Sequence, residues 1–575
     1  MRAGLIAGWA AAAVLFGAPA AAVDNFALLD QRGRFHELHA YRDRQAVVLL
    51  VHGNGCPIAR NAVPALAALE EEFAPRGVAF LLLNASPQDD RASIAAEATE
   101  YGIGLPILVD ETQLVAESLG VTRTAEAFVL DPKTWEIVYR GPIDDRLDYQ
   151  TQRPAREHFL RNAIAAQLGG EGIAEPVRDA PGCLILFDDP EPEITYADDI
   201  APLLAERCGS CHRGGGVAPF ALTSYEMVRG WSPMMREVIR TQRMPPWQAD
   251  AHVAHFANDI SLSRAEARRL VHWIEAGAPR GNGGDPLAEA PPAVRAEWAL
   301  GEPDLVVEVP PQPIPATGVV PYRYEIVELP VDRDLWVRAV DLQPSRPQVM
   351  HHGLAWIRYP AEHRAPRVEG PAFTRGMFAA YVPGRDPKLL PDGAGYFVPA
   401  GSKLRFQLHY TTSGREEEDR PRLALYLSET PLAHELKTGA VSRFDFEIPP
   451  GAREHESEAE LEIEHDILLY RISPHMHFRG KRMAFEAEYP DGRVEPLLSV
   501  PRWDFNWQRQ YVLDPPKRIP AGTTFRIHAA FDNSELNPAN PDPTATVRYG
   551  EQTFEEMMFG YFVYRELEQQ VADTP

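Results

Sequence analysis

The string Cys208-Gly-Ser-Cys211-His212 sets two thiols three positions apart with an imidazole directly after them. Each thiol can bond a haem vinyl group, and the histidine stands where it can ligate the iron. The string therefore reads as a c-type haem attachment site. A second constellation is built of histidine and methionine. His351 and His352 are adjacent, His409 ends Leu404-Arg-Phe-Gln-Leu-His409, and His475-Met-His477 repeats with a period of two. Met557 and Met558 follow in Glu555-Glu-Met-Met-Phe559. On a strand, a period of two turns His475 and His477 to one side. Imidazole binds copper in both oxidation states and thioether favours Cu(I), so this set points to copper. A lone strand histidine is usually structural, but five in three compact motifs are hard to explain by packing. The remaining thiols are Cys56 and Cys183, out of four cysteines in all.

These residues need elements to hold them. Arg2 precedes an apolar stretch from Leu5 to Phe16, and Ala18-Pro-Ala20 and Ala20-Ala-Ala22 offer small-residue cleavage sites. Residues 1–22 read as a secretory signal peptide, with an uncleaved anchor as the alternative. The expected location is periplasmic or secreted. No other apolar run approaches the length of a membrane span, so none is expected after signal cleavage. The formal net charge of −25 argues against nucleic acid as a partner.

Residues 24–170 alternate strand and helix signals. Ala46–Val51, Gly77–Asn84, Pro106–Asp110, Glu126–Asp131 and Trp135–Arg140 read as strands, with helices over Asn61–Phe73 and Ala92–Tyr101. That order predicts an α/β domain with a central sheet. Cys56 falls between the first of these strands and its helix, where a helix N-terminus favours thiolate. This region resembles the thioredoxin-like redoxin family, in which that junction carries the nucleophile. It departs from the pattern at Ala59, where a second cysteine would stand. It also departs at Ala125, in place of the cis-proline, and at Gly53, in place of the peroxidase-type Thr/Ser. Cys183 is then a distant resolving thiol for Cys56, half of a structural disulfide, or an inert free thiol.

Residues 171–195 are rich in Gly, Pro and acidic groups and read as a linker. Residues 196–280 read as helical. Ala197–Arg207 runs into Cys208 with Ile200, Leu203 and Leu204 on one face. Ser263-x-x-Glu266 is a capping box ahead of Leu270, Val271 and Ile274. This region looks like a small all-α cytochrome c domain. Met244, in Arg243-Met-Pro-Pro-Trp247, resembles the axial methionine of that class. Met234, Met235, His252 and His255 are its rivals, and core packing is the other role open to a methionine.

Residues 281–304 read as a second linker. Beyond them short strands such as Leu335–Leu342, Lys403–His409, Ile467–Ile472 and Thr524–Phe531 are separated by Pro/Gly turns. Two antiparallel, jelly-roll-like β-sandwiches are expected, at 305–440 and 441–570. The order His-His, strand-end His, His-x-His with Gly480-Lys481, then Glu-Met resembles the copper type II, ascorbate-dependent monooxygenases. The resemblance implies two copper ions, one held by His351, His352 and His409 and the other by His475, His477 and Met557. It favours Met557 over Met558, since the family methionine directly follows the acidic residue, and it matches Tyr561 to an active-site tyrosine. Ser473 stands where the peptide-amidating branch has arginine, which argues against a C-terminal glycine peptide as substrate. The implied reaction inserts one oxygen atom of O2 into a C–H bond of a small-molecule or peptide substrate. Electrons would come from an ascorbate-like reductant or a redox protein, and the fused haem would be a donor at high effective concentration. The competing reading is a periplasmic electron-transfer or copper-handling and maturation protein with no oxygenase activity.

Overall fold

The computed structural model describes residues 22–147, 152–187, 193–214, 216–289, 297–383, 387, 389–391 and 393–567. The expected signal peptide lies outside them, but for its last residue. The chain divides into two compact units, residues 1–189 and 190–575. No helix among the described residues is long and apolar enough to cross a membrane.

The first unit is built on a mixed five-stranded sheet. Its order is Ile107–Val109, Val78–Asn84, Ala46–His52, Ala127–Leu130, Ile137–Gly141. The first three strands run parallel and the last two antiparallel. Ala46–His52 is buried on both faces, with three helices over one side and the short helix Leu114–Ser118, strand Ala27–Leu29 and loops over the other. Ala46, Val48 and Leu50 enter one core, while Val47, Leu49 and Val51 enter the second. Helix Pro57–Phe73 follows, with Pro57 pre-set for the first helical turn. The expected linker begins too early. Arg123 bridges Leu184, Arg140 bridges Val177, and Ile185 is buried in the second core. Ile185 and Phe187 pack against that core while Leu184 and Leu186 stay exposed.

The second unit opens with helices Ala201–Arg207, Tyr225–Arg240 and Arg264–Glu275. A π-turn over Tyr196–Ile200 replaces the expected first turn of α-helix. Pro202 lacks the N–H that an α-turn there would use. The Ser263–Glu266 capping box forms in both directions. Tyr196, Leu204, Val228, Leu270 and Trp273 form the core of this region. The expected second linker is anchored at both ends. Asp285 accepts hydrogen bonds from the Tyr196 hydroxyl at 2.7 Å and the Tyr225 N–H at 2.6 Å. Trp298 is buried against Ala339, Ala424 and Tyr426.

The rest of the unit is β-structure. Strands Arg323–Glu328, Lys403–Tyr410, Met350–Arg358 and Met377–Tyr381 form one sheet, in that order. Strands His434–Glu435, Ala394–Val398, Leu335–Gln343, Arg422–Leu427 and Leu305–Glu308 form the sheet across the core. A second pair of four-stranded sheets encloses its own core. One is Lys437–Ser442, Phe559–Glu566, Ile467–His475, Tyr511–Ile519. The other is His455–Glu462, Thr524–Phe531, Gly480–Glu488, Val494–Val500. Lys437–Ser442 crosses the expected boundary at 440 because it pairs with Phe559–Glu566. Tyr470 and Val563 of the second pair pack into the core of the first.

Candidate functional site

His351 and His352 lie on one strand, where neighbours point to opposite faces. A β-bulge overrides this. Met350 pairs with Tyr410 and His352 with His409, so His351 is the extra residue. The result is a cluster of His351, His352 and His409 whose ligand atoms lie within 4.8 Å of one another. Ring centroids are 5.0–5.4 Å apart, and Tyr322 packs edge-on against His409 at 4.5 Å.

His475 ends its strand and His477 lies just past it, with ring centroids 5.3 Å apart. The His352 and His475 rings are 6.4 Å apart, so the five imidazoles form one continuous group. Their tautomers follow from their partners. The Glu555 carbonyl, 3.2 Å from His477 Nδ1, can only accept, so Nδ1 carries the proton and Nε2 a lone pair. Gln508 Nε2 donates to the Phe505 carbonyl, which turns Gln508 Oε1 to His475 Nδ1 at 2.6 Å. That bond frees His475 Nε2 in the same way. Burial holds all five imidazoles below the usual histidine range, to about 4 for His351 and His475 and about 3 for His409. All five are therefore neutral at pH 7, the state that binds metal. His351 Nε2, His409 Nδ1 and His477 Nε2 are buried with no hydrogen-bond partner among the described residues. Buried polar atoms left unpaired are costly, and metal ions bound at the two histidine sets would satisfy all three.

Met557 and Met558 separate cleanly. Met557 lines a cavity of about 270 Å³ together with His352, His475, Ser473 and Tyr561, while Met558 is fully buried in the second sandwich core. Tyr561 lies 6.3 Å from the His475 ring. Burial raises its phenol above the usual range.

Several supporting residues escaped the sequence reading. Glu556 is fully buried and accepts from the N–H groups of His477 at 2.8 Å, Arg479 at 2.6 Å and Met557 at 3.1 Å. The pair Glu555-Glu556 beside Met557 was the available signal. Phe505 stacks on His351 at 4.2 Å. Trp503 donates its indole N–H to the His477 carbonyl at 3.2 Å. A Cβ on Gly480 would meet that indole at 2.5 Å, so glycine is required there. For Gln508, more than thirty residues from His475, nothing in the sequence pointed the way. If the histidine group binds copper, a Gln508→Leu variant is expected to lower that affinity by about 10- to 100-fold. Competition with a Cu(I) chelator measures it.

The Cys208-Gly-Ser-Cys211-His212 string lies in the helical region. The His212 N–H donates to the Cys208 carbonyl at 2.9 Å, and His212 Nδ1 donates to the Phe220 carbonyl at 3.1 Å, which leaves Nε2 as a ligand atom. Burial lowers the His212 imidazole and raises the Cys208 thiol to about 12. Cys208 packs against the helical core, where Met235 is buried. Met244 is half-buried outside that core, at the start of a loop that lies on the second sandwich. Trp247 and Phe256 enter the sandwich core. Arg509 Nε donates to the Pro246 carbonyl at 2.9 Å, the Asp250 N–H to the Ser499 carbonyl at 2.9 Å, and the Ala257 N–H to the Val512 carbonyl at 2.8 Å.

In the first unit Cys56 caps helix Pro57–Phe73, and its sulfur lies 3.0 Å from that of Cys183. Thr124 Oγ1 touches the Cys56 sulfur at 3.0 Å and accepts from the Cys183 N–H at 2.9 Å. Burial acts to raise the Cys56 thiol, but hydrogen bonds from Thr124, Cys183 and the Ala59 N–H outweigh it and bring it below the usual range. The Cys183 thiol is raised, first by its hydrogen bond to Cys56. Ala125, at the position expected for cis-proline, adopts φ +58°.

The AhpC/TSA family matches residues 19–146. An uncharacterized conserved protein from Geobacillus kaustophilus is 27% identical, with 30% of this chain and 93% of that one covered and a TM-score of 0.28. A hypothetical protein from Sinorhizobium meliloti 1021 is 27% identical, with coverage of 30% and 95% and a TM-score of 0.27. A peroxidoxin from Mycobacterium tuberculosis is 20% identical, with coverage of 26% and 96% and a TM-score of 0.21. No curated protein matches the chain. The N-terminal region is thus a thioredoxin-like redoxin domain of the AhpC/TSA kind.

Proposed function

We propose that the β-rich region is a periplasmic copper monooxygenase supplied with electrons by a haem attached at Cys208 and Cys211. The observation that carries this reading is the group of buried, neutral imidazoles with three unpartnered nitrogens, set beside a cavity. His351, His352 and His409 would hold one copper, and His475, His477 and Met557 the other. His212, with Met244 as the second axial candidate, would hold the haem iron. Bound copper supplies one-electron redox chemistry and activation of O2. The chain's own residues prepare the site. Gln508 and the Glu555 carbonyl fix the two imidazole tautomers. Glu556 holds the backbone of His477 and Met557 in one place. Tyr322, Phe373 and Phe559 wall the cavity with apolar surface that limits water. That cavity favours an oxygenase over a copper carrier, which has no use for a substrate pocket next to its ligands.

The test is copper and iron content per chain, on protein exported from a host that attaches haem. Two coppers per haem support the reading. One copper or none, with the haem intact and copper plentiful, sinks it.

A second reading applies to the N-terminal domain, where the contact between Cys56 and Cys183 favours thiol–disulfide exchange. The sulfurs are about 1 Å beyond bonding distance. Mild oxidation is expected to join them and lower the intact mass by about two hydrogens. Mass spectrometry after alkylation reads this, and a Cys183→Ser variant should keep its full mass and one reactive thiol.

A further inference from the structure

The cavity beside His475 has an uneven charge. The protein as a whole carries a formal net charge of −25, yet this wall contains Arg405 and Arg471 against a single acid, Glu551. Glu551 accepts from the Tyr324 hydroxyl at 2.9 Å. Arg405 lies over the rings of Tyr324 at 4.6 Å and Trp356 at 5.5 Å. The Arg471 side chain has no hydrogen-bond or ion-pair partner among the described residues, though the residue is half-buried. A half-buried arginine in a cavity wall without a counter-charge is a ready anion site.

Its placement follows from the strand. A bulge between Leu469 and Arg471 resets the alternation of Ile467–His475. Arg471, Ser473 and His475 then share the cavity face, while Ile472 enters the core. The Cα atoms of Arg471 and His475 are about 13 Å apart on an extended strand. The same cavity is lined by the aromatic rings of Trp356, Phe373, Phe559 and Tyr561.

We propose that Arg471 is the anion anchor of this cavity and that the substrate is a carboxylate on an aromatic or aliphatic body. The carboxylate pairs with the guanidinium, and the body lies along the aromatic wall with its far end at His475 and Met557. This deepens the copper reading and rests on it for the identity of the reacting end. The carboxylate can belong to a free small acid or to the last residue of a peptide.

The test is calorimetric binding to the full-length protein, with copper measured on the same sample. The probes are 3-phenylpropionate, 3-phenylpropionamide, and acetyl-Gly-Gly-Phe with a free or an amidated C-terminus. The carboxylates are expected to bind at least about tenfold more tightly than the matching amides. Arg471→Gln should abolish that preference, and Arg471→Lys should keep part of it. Arg471 has no partner to lose, and the Lys variant controls for folding. The tighter of the two carboxylates identifies the source. Equal binding of acids and amides, or unchanged selectivity in Arg471→Gln, overturns the proposal while leaving copper content untouched. Arg471-dependent selectivity in protein that takes up no copper upholds the anchor and removes the copper reading.

Discussion

On the copper and haem reading proposed above, a His409→Ala variant is expected to lose one copper equivalent per chain and to keep its haem iron. His351, His352 and His409 offer ligand atoms within 4.8 Å of one another, and none of the neighbouring carboxylates belongs to that group among the described residues. Two imidazoles remain after the substitution. Loss of a supporting hydrogen bond to a ligand costs about 10- to 100-fold in metal affinity, and loss of a ligand itself exceeds that. The substitution also opens space beside Tyr322, whose ring packs against His409. His409→Gln, closer in volume, separates that packing effect from ligand loss. Mass spectrometry of copper and iron reads the result. Two coppers retained in both variants would mean that the cluster is not a metal site.

An Arg479→Ala variant is expected to destabilise the second sandwich by about 3–5 kcal/mol, since each buried acceptor left without its donor costs about 1–3 kcal/mol. Arg479 is 1% exposed. Its guanidinium donates to Asn533 Oδ1 at 2.7 Å, the Phe554 carbonyl at 2.8 Å and the Asp542 carbonyl at 3.3 Å. Glu556 is the buried acid it faces. Burial raises that carboxyl to about 7, against the pull of three backbone N–H groups and of Arg479 itself. Without the guanidinium, three acceptors lose a donor together, while Glu556 keeps the backbone N–H of residue 479. The same Glu556 holds His477 and Met557, so copper content should fall with stability. Calorimetric unfolding of the variant, beside Arg479→Lys, is the measurement. A melting temperature within a degree or two of wild type would show that the arginine does not hold this turn.

What could be read from the chain divides along a physical line. Periodic patterns were legible. The strand Ala46–His52, the helix after Cys56 and the Ser263–Glu266 box depend on near neighbours, and all three form. The histidine and methionine motifs were legible as chemistry. Their convergence was not, because the bulge at His351 is set by pairing with a strand some sixty residues away. Arg471 lay within reach, two and four residues before Ser473 and His475 on an alternating strand. Gln508 and Phe505 did not, since they meet the histidines only through tertiary folding. The stretches around Ile185 and Trp298 were misread as linkers because loop-like composition hides one or two apolar anchors.

The stretch Ser499–Val512 carries a consequence for stability against local opening. Its backbone takes hydrogen bonds from Asp250 and Ala257, its Arg509 holds Pro246, and its Gln508 and Phe505 hold His475 and His351. The loop after Met244 and the histidine group therefore cannot fray independently. Amide protons of Asp250, Ala257 and Val512 should exchange with deuterium as one cooperative unit, and occupancy of the histidine group by metal should slow all three together.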